Sequence, residues 1–129
     1  EHRRRLEEGA CEPSLRLGSD VGGHFVTGHV DAAAKVLVHR PWGEGFWRLR
    51  AELPRALRGL VAEKGSVAVD GASLTVTAVG SNWFEVMLVP HTLANTTLGR
   101  RRAGDLVNLE ADPLARYAKS AVEALRRKR

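Results

Sequence analysis

The sequence predicts an all-β domain with a C-terminal helix, six antiparallel strands forming a small closed or nearly closed barrel. Three observations carry that expectation. Short segments alternate apolar and polar residues at strand spacing, and turn signals rich in glycine separate them. A sustained helical periodicity is confined to the end of the chain, from Pro113 onward. The chain divides accordingly into a charged leader or linker remnant (1–12), the barrel (13–112) and an amphipathic C-terminal helix (113–129).

Composition bounds the rest. At 129 residues with 43% apolar content, the chain supports one domain and one core. No apolar run approaches the length of a membrane-spanning helix, and residues 1–14 lack the apolar stretch of a secretory signal. The chain starts without Met and is expected to begin inside a longer product. Cys11 is the single cysteine and has no internal partner, which fits a reducing cytoplasm. No Cys/His spacing suggests a metal, and the five His residues are too scattered to count as a site. The net charge of +5 resides mainly in the flanks, because residues 16–112 carry 11 Lys/Arg against 10 Asp/Glu. With seven aromatics and no basic face on the folded part, nucleic-acid binding is not expected.

The elements follow in order. Residues 1–12 read as a short charged helix ended by Gly9, with Leu6 its only large apolar residue. Residues 13–20 are turn-rich. In Gly22–Asp31 (GGHFVTGHVD), three glycines allow sharp bends or close approach, and His24 and His29 flank Thr27-Gly28. A strand is expected from Val30 to Val38, a turn over His39–Gly45, and a strand over Phe46–Leu53. That second strand places Trp47, Leu49 and Ala51 on one face and Arg48, Arg50 and Glu52 on a solvated one. Pro54 opens a predicted short helix, Arg55–Ala62, with Leu57, Leu60 and Val61 as its stripe.

Lys64–Thr77 (KGSVAVDGASLTVT) is the most informative stretch. Val67 and Val69 alternate, Asp70-Gly71 supplies a two-residue hairpin turn, and Leu74 and Val76 alternate with Ser73, Thr75 and Thr77. The hydroxyl row is either a solvated sheet face or a wall of donors and acceptors for a polar small molecule. A hairpin at Gly80–Asn82 leads to a strand over Trp83–Val89, where Phe84, Val86 and Leu88 share a face. Pro90–Leu98 reads as a turn and a short helical piece. Arg100–Arg102 is a basic loop, solvated or contacting phosphate. The last strand, Asp105–Ala111, sets Leu106, Asn108 and Glu110 opposite Val107 and Leu109. In the terminal helix, Leu114, Tyr117, Ala118, Ala121, Val122 and Leu125 form an apolar stripe that can cap the barrel or, as preferred here, pack on a partner chain.

Four blocks in this order, Gly22–Asp31, Lys64–Val76, Val89–Leu98 and Gly104–Asp112, resemble the C-terminal half of the riboflavin synthase (α-chain type) and lumazine-binding protein family. Glu12–Gly18 is similar to the segment that joins that family's two domains. The resemblance implies a six-stranded antiparallel Greek-key β-barrel followed by a helix at a trimer interface. It also implies dismutation of two molecules of 6,7-dimethyl-8-ribityllumazine. One gives a four-carbon unit to the other, yielding riboflavin and 5-amino-6-ribitylaminouracil without metal or redox cofactor. By the same resemblance Ser73 and Thr75 line the pteridine pocket, and His29, then His24, is the proton-transfer candidate. Asp70 binds or orients substrate, Gly22, Gly23 and Thr27 let the backbone approach the ring, Val89, Thr92, Thr96 and Thr97 contact ring or ribityl, and Lys64 reaches a ribityl hydroxyl.

The family's N-terminal barrel has no counterpart here, and residues 1–11 do not resemble it. Three readings stay open: part of a full synthase, a non-catalytic single-barrel binder of lumazine, riboflavin or a flavin, and a homo-oligomer whose barrels pair. A barrel that had become an interaction module would need none of the hydroxyls at Ser73, Thr75, Thr92, Thr96 and Thr97.

Overall fold

In a computed structural model, residues 16–129 are described; the expected leader over residues 1–12 lies outside them. Six strands, β1 (Ala32–Gly43), β2 (Phe46–Glu52), β3 (Ser66–Val69), β4 (Ala72–Val79), β5 (Trp83–Leu88) and β6 (Leu106–Ala111), close into a barrel in the order β1-β2-β5-β4-β3-β6. All pairings are antiparallel. β3, β4 and β5 are joined by hairpins while β2 returns beside β5, which is Greek-key connectivity. Pairing of Ala32–Lys35 with Leu106–Leu109 closes the ring and removes the exposed sheet edge.

The alternation read from the sequence decides what points inward. Val36, Leu49, Ala51, Val67, Val69, Leu74, Val76, Phe84, Val86, Leu88, Val107 and Leu109 form one buried cluster. At about 1.5–3 kcal/mol for each large side chain removed from water, this cluster is the main source of stability. Leu57, Leu60 and Val61 join it as expected, although not from a helix. Only Arg55–Leu57 is helical, as a 3₁₀ turn, because Gly59 takes a positive φ of 80° that breaks the run.

Two further expectations are corrected. β1 runs on through most of the predicted turn, and the reversal itself is Glu44-Gly45, with φ of 53° and 81°. Cross-strand packing extends the ribbon: the Arg48 guanidinium lies 3.9 Å over the Trp42 ring, and the His39 ring sits 4.8 Å from that of Trp47. Register shifts on either side of this segment let Pro41 be tolerated within it. The face bearing Arg48 and Arg50 is not simply solvated. Arg50 donates from Nε and Nη2 to Glu85 at 3.1 and 2.9 Å and stacks 4.0 Å over Trp83, while Arg48 lies 3.7 Å from the same carboxylate.

Helix α1 (Pro90–Asn95) and a 3₁₀ turn (Thr97–Arg100) lead to β6, and α2 (Pro113–Arg127) closes the chain. The Asp112 side chain caps α2 by accepting from the Leu114 N–H at 3.0 Å. Its apolar stripe faces solvent, with Leu114, Tyr117 and Leu125 each about two-thirds exposed or more, so the helix does not cap the barrel. No helix among the described residues is long and apolar enough to cross a membrane.

His39 gives the fold a pH dependence. Burial holds its pKa below the ordinary imidazole value, outweighing the Arg101 backbone and the Asp105 carboxylate, which pull it upward. Its Nε2 is buried without a hydrogen-bond partner among the described residues. A depressed folded-state pKa favours the neutral ring, so the full contribution to stability is present above the unfolded value of about 6.5. It declines as pH falls from there toward the folded pKa. Melting temperature is expected to drop between pH 7.5 and pH 5.5, and His39→Phe to flatten that slope. Thermal melts followed by circular dichroism at both pH values check this.

Candidate functional site

Strand register creates the site. Ala68 on β3 pairs with Glu110 on β6 and with Ser73 on β4. These three residues form one row on the outer face, because their neighbours Val67, Leu74 and Leu109 point into the core. Two strand spacings, about 10 Å, separate the ends of the row. The next row holds Ser66 opposite Thr75. Thr77, further along, donates its hydroxyl to the Glu85 carbonyl at 3.1 Å.

Ala68 faces outward by parity, yet it is only 1% exposed. The reason is a strap, residues 23–28, that crosses the row. At one end Gly23 presses on Ser73 so closely that a Cβ there would lie 2.3 Å from Ser73 Oγ; its φ of +103° also excludes other residues. His24 Nδ1 and Ser73 Oγ are hydrogen-bonded at 2.5 Å, and His24 Nε2 is buried without a partner among the described residues. At the other end the Thr27 N–H and hydroxyl both donate to Glu110 Oε1 at 2.7 Å, and the Gly28 N–H donates to Oε2 at 3.0 Å.

The two histidines therefore occupy different places. His24 sits on the hydroxyl face, while His29 opens into a crevice of about 410 Å³ with Thr27, Asp31, Glu110, Arg116 and Tyr117, at the Glu110 end of the strap. Asp31, which also lines the crevice, accepts from the Ala111 N–H at 2.7 Å and pairs with Arg116.

Asp70 takes its expected turn, with φ of 48° followed by Gly71 at 81°, and its carboxylate is fully engaged. It accepts from the Asn108 N–H at 2.8 Å, from Arg101 Nε and Nη2 at 2.8 and 2.7 Å, and from the Thr97 hydroxyl at 3.2 Å. Its side chain is 6% exposed, which suits a clamp better than a group that meets substrate. Arg101, read as part of a solvated or phosphate-contacting loop, is thereby an internal partner. The Thr96 hydroxyl donates to the Thr92 carbonyl at 2.7 Å and accepts from the Leu98 N–H, so Thr96 stabilises a local turn while Thr97 belongs to the Asp70 clamp. Thr27 is likewise occupied by Glu110. Lys64 is an exposed residue with φ of 65° whose N–H donates to the Val76 carbonyl, at the far end of the hydroxyl wall. Val89 is exposed beside α1 and Thr92 half-buried within it. Among the described residues, no atom outside Gly22's chain neighbours lies within 4 Å of where a Cβ would be, so they do not require a glycine there.

Glu110 is the residue that spacing did not single out. Its outward position in β6 is readable from its parity with Asn108, but not the fact that another segment crosses it. Among the described residues no cluster of three His, Cys, Asp or Glu side chains is arranged to hold a metal ion.

The lumazine binding domain family model matches residues 27–112. Riboflavin synthase from Brucella abortus is 50% identical over 107 residues, covering 83% of this chain and 52% of the relative. The Mycobacterium tuberculosis enzyme is 46% identical over 109 residues, covering 82% and 54%. The chain thus spans about half the length of the curated relatives it matches. Among solved structures, LumP complexed with riboflavin superposes with a TM-score of 0.65 at 22% identity, over 73% of this chain and 50% of that one. LumP complexed with 6,7-dimethyl-8-(1'-D-ribityl) lumazine gives 0.63 at 22% identity, over 69% and 48%. These two show a shared fold.

The Asp70 clamp predicts a stability effect. Removing one partner leaves the Arg101 charge and the Asn108 N–H without their acceptor, so Asp70→Ala is expected to cost about 3 kcal/mol. Urea unfolding measures it, and Asp70→Asn, which keeps one acceptor oxygen, is expected to lose less.

Proposed function

The chain belongs to the lumazine-binding domain family, and on that premise we propose that it binds 6,7-dimethyl-8-ribityllumazine or riboflavin on the outer face of the barrel, beside the strap. One observation carries the proposal: His24 is tied to Ser73 through Nδ1 while its buried Nε2 has no partner among the described residues. A buried ring nitrogen in that state gains free energy from a ligand that can complete its hydrogen bonding. Ser73, Thr75 and Ser66 supply hydroxyls that donate or accept, matching the amide-like edge of the pyrimidine ring and the ribityl chain. Lys64 extends the wall toward the ribityl end.

Turnover follows from pairing. The dismutation moves a four-carbon unit between two lumazines, so both heterocycles must be held face to face. One hydroxyl face holds one of them, and we assign the reaction, which yields riboflavin and 5-amino-6-ribitylaminouracil, to two apposed barrels. His24 is the group placed to move a proton at the hydroxyl face. His29 opens beside α2, where a second copy that buries the exposed stripe would approach it. Asp70 and Thr97 hold the site from behind. A barrel that binds lumazine or a flavin without turnover is the second reading, favoured for the chain alone because it presents one such face. The single cysteine fits a protein of the reducing cytoplasm.

Titration with quenching of ligand fluorescence tests binding. Saturable quenching by folded chain is expected, and Ser73→Ala should weaken it roughly three- to tenfold, the worth of one hydrogen bond. No saturable change at high micromolar ligand would overturn the proposal. Riboflavin absorbance on incubation with the lumazine separates the two readings.

A further inference from the structure

Glu110 is a carboxylate on the outside of a β-barrel, 6% exposed, that accepts from two consecutive backbone N–H groups and a hydroxyl. Burying a charge is costly unless hydrogen bonds compensate it, and an apolar side chain would cover the row beside Ala68 at less cost. What an apolar side chain cannot do is fix the strap's position. Residues 25–30 belong to no strand or helix, so no ladder holds them. The N–H groups of Thr27 and Gly28 converge on the two oxygens of one carboxylate, Gly28 taking a φ of +80° to do so. Bonds to an ionised acceptor are stronger and more directional than neutral ones. The strap is thus held at two points, Glu110 on β6 and Ser73 on β4, and the second point is the ligand face.

We propose that Glu110 is a positioning residue of the ligand site, acting through the strap to hold His24 on Ser73. The inference rests on the lumazine-site reading above. It adds a residue that does not touch the ligand yet sets the geometry of one that does. If Glu110 is removed, three hydrogen bonds are lost together, Gly28 is freed, and His24 is tethered by its own bond to Ser73 alone. The imidazole then samples orientations other than the one that its bond to Ser73 fixes beside the hydroxyl wall.

The test uses Glu110→Gln and Glu110→Ala in the full chain, each with His24→Ala as the second arm of a double-mutant cycle, and 6,7-dimethyl-8-ribityllumazine as the probe. Glu110→Ala is expected to weaken binding roughly tenfold or more, and Glu110→Gln, which keeps one acceptor oxygen, severalfold. In the His24→Ala background the additional loss should largely vanish, because both changes disable the same contact. An equal loss in both backgrounds would overturn the proposal and make Glu110 a general support of the barrel. Unchanged affinity in folded Glu110→Ala would overturn it as well. Should the alanine variant fail to fold, the glutamine variant decides by the same comparison. A ligand-free readout separates this inference from the binding one: the imidazole NMR signals of His24 should change in Glu110→Gln while core amides such as Val69 and Phe84 stay put. If they change but the unmodified chain binds no lumazine, the strap's role stands and the lumazine reading falls. If they do not change, the positioning role falls.

Discussion

Register across β6, β3 and β4 is the constraint on which the rest of this structure depends. It places Glu110, Ala68 and Ser73 in one outward row. A slip of a single residue would turn Glu110 into the core and Leu109 to solvent, burying an uncompensated charge at a cost of several kcal/mol. Two features pin the register. The β1–β6 pairing closes the ring, and the Asp70 carboxylate ties the β3–β4 hairpin to the Asn108 N–H of β6 and to Arg101. The hairpin turn therefore does more than reverse the chain. It locks the strands whose outer face carries the site.

The barrel treats its two faces differently. On the β2–β5 side, Trp42, Arg48, Glu85, Arg50 and Trp83 cover one another by stacking and ion pairing. On the β6–β3–β4 side a strap lies over the strands, held by side chains rather than by a ladder. Elements held this way can open at less free energy than core strands. In the proposed site, movement of the strap is the step that admits a heterocycle without disturbing the barrel. The same physical separation lets the core carry stability while the strap and hydroxyl wall are left for the recognition proposed above.

Much of this was legible in the sequence. Alternation identified β3 to β6 and their inward residues because each strand buries one face against one core. Asp70-Gly71 was legible because positive φ at two successive positions suits few residue pairs. The His39–Gly45 segment misled because its proline and glycines read as a turn, whereas stacking of Trp42 on Arg48 and His39 on Trp47 extends the ribbon there. Arg55–Ala62 misled because three apolar residues at helical spacing also suit a compact turn that fills the core. The family resemblance implied ligand contacts at Thr96 and Thr97 and a close backbone approach to the ring at Thr27. Their hydroxyls are engaged by Glu110, the Thr92 carbonyl and Asp70, partners that only tertiary structure brings near. Glu110 escaped notice for the same reason, since its three donors lie more than eighty residues away in the chain.

The central claim is that the strap-covered face is where the ligand binds. Backbone amide chemical shifts recorded while 6,7-dimethyl-8-ribityllumazine is titrated into the chain test it most directly. The structure predicts saturable changes concentrated on Gly22–Thr27, Ser66 and Ser73–Thr75, with the outer face of β2 and β5 unaffected. Changes centred on Trp42, Arg48 and Trp83 instead, or none that saturate, would contradict it.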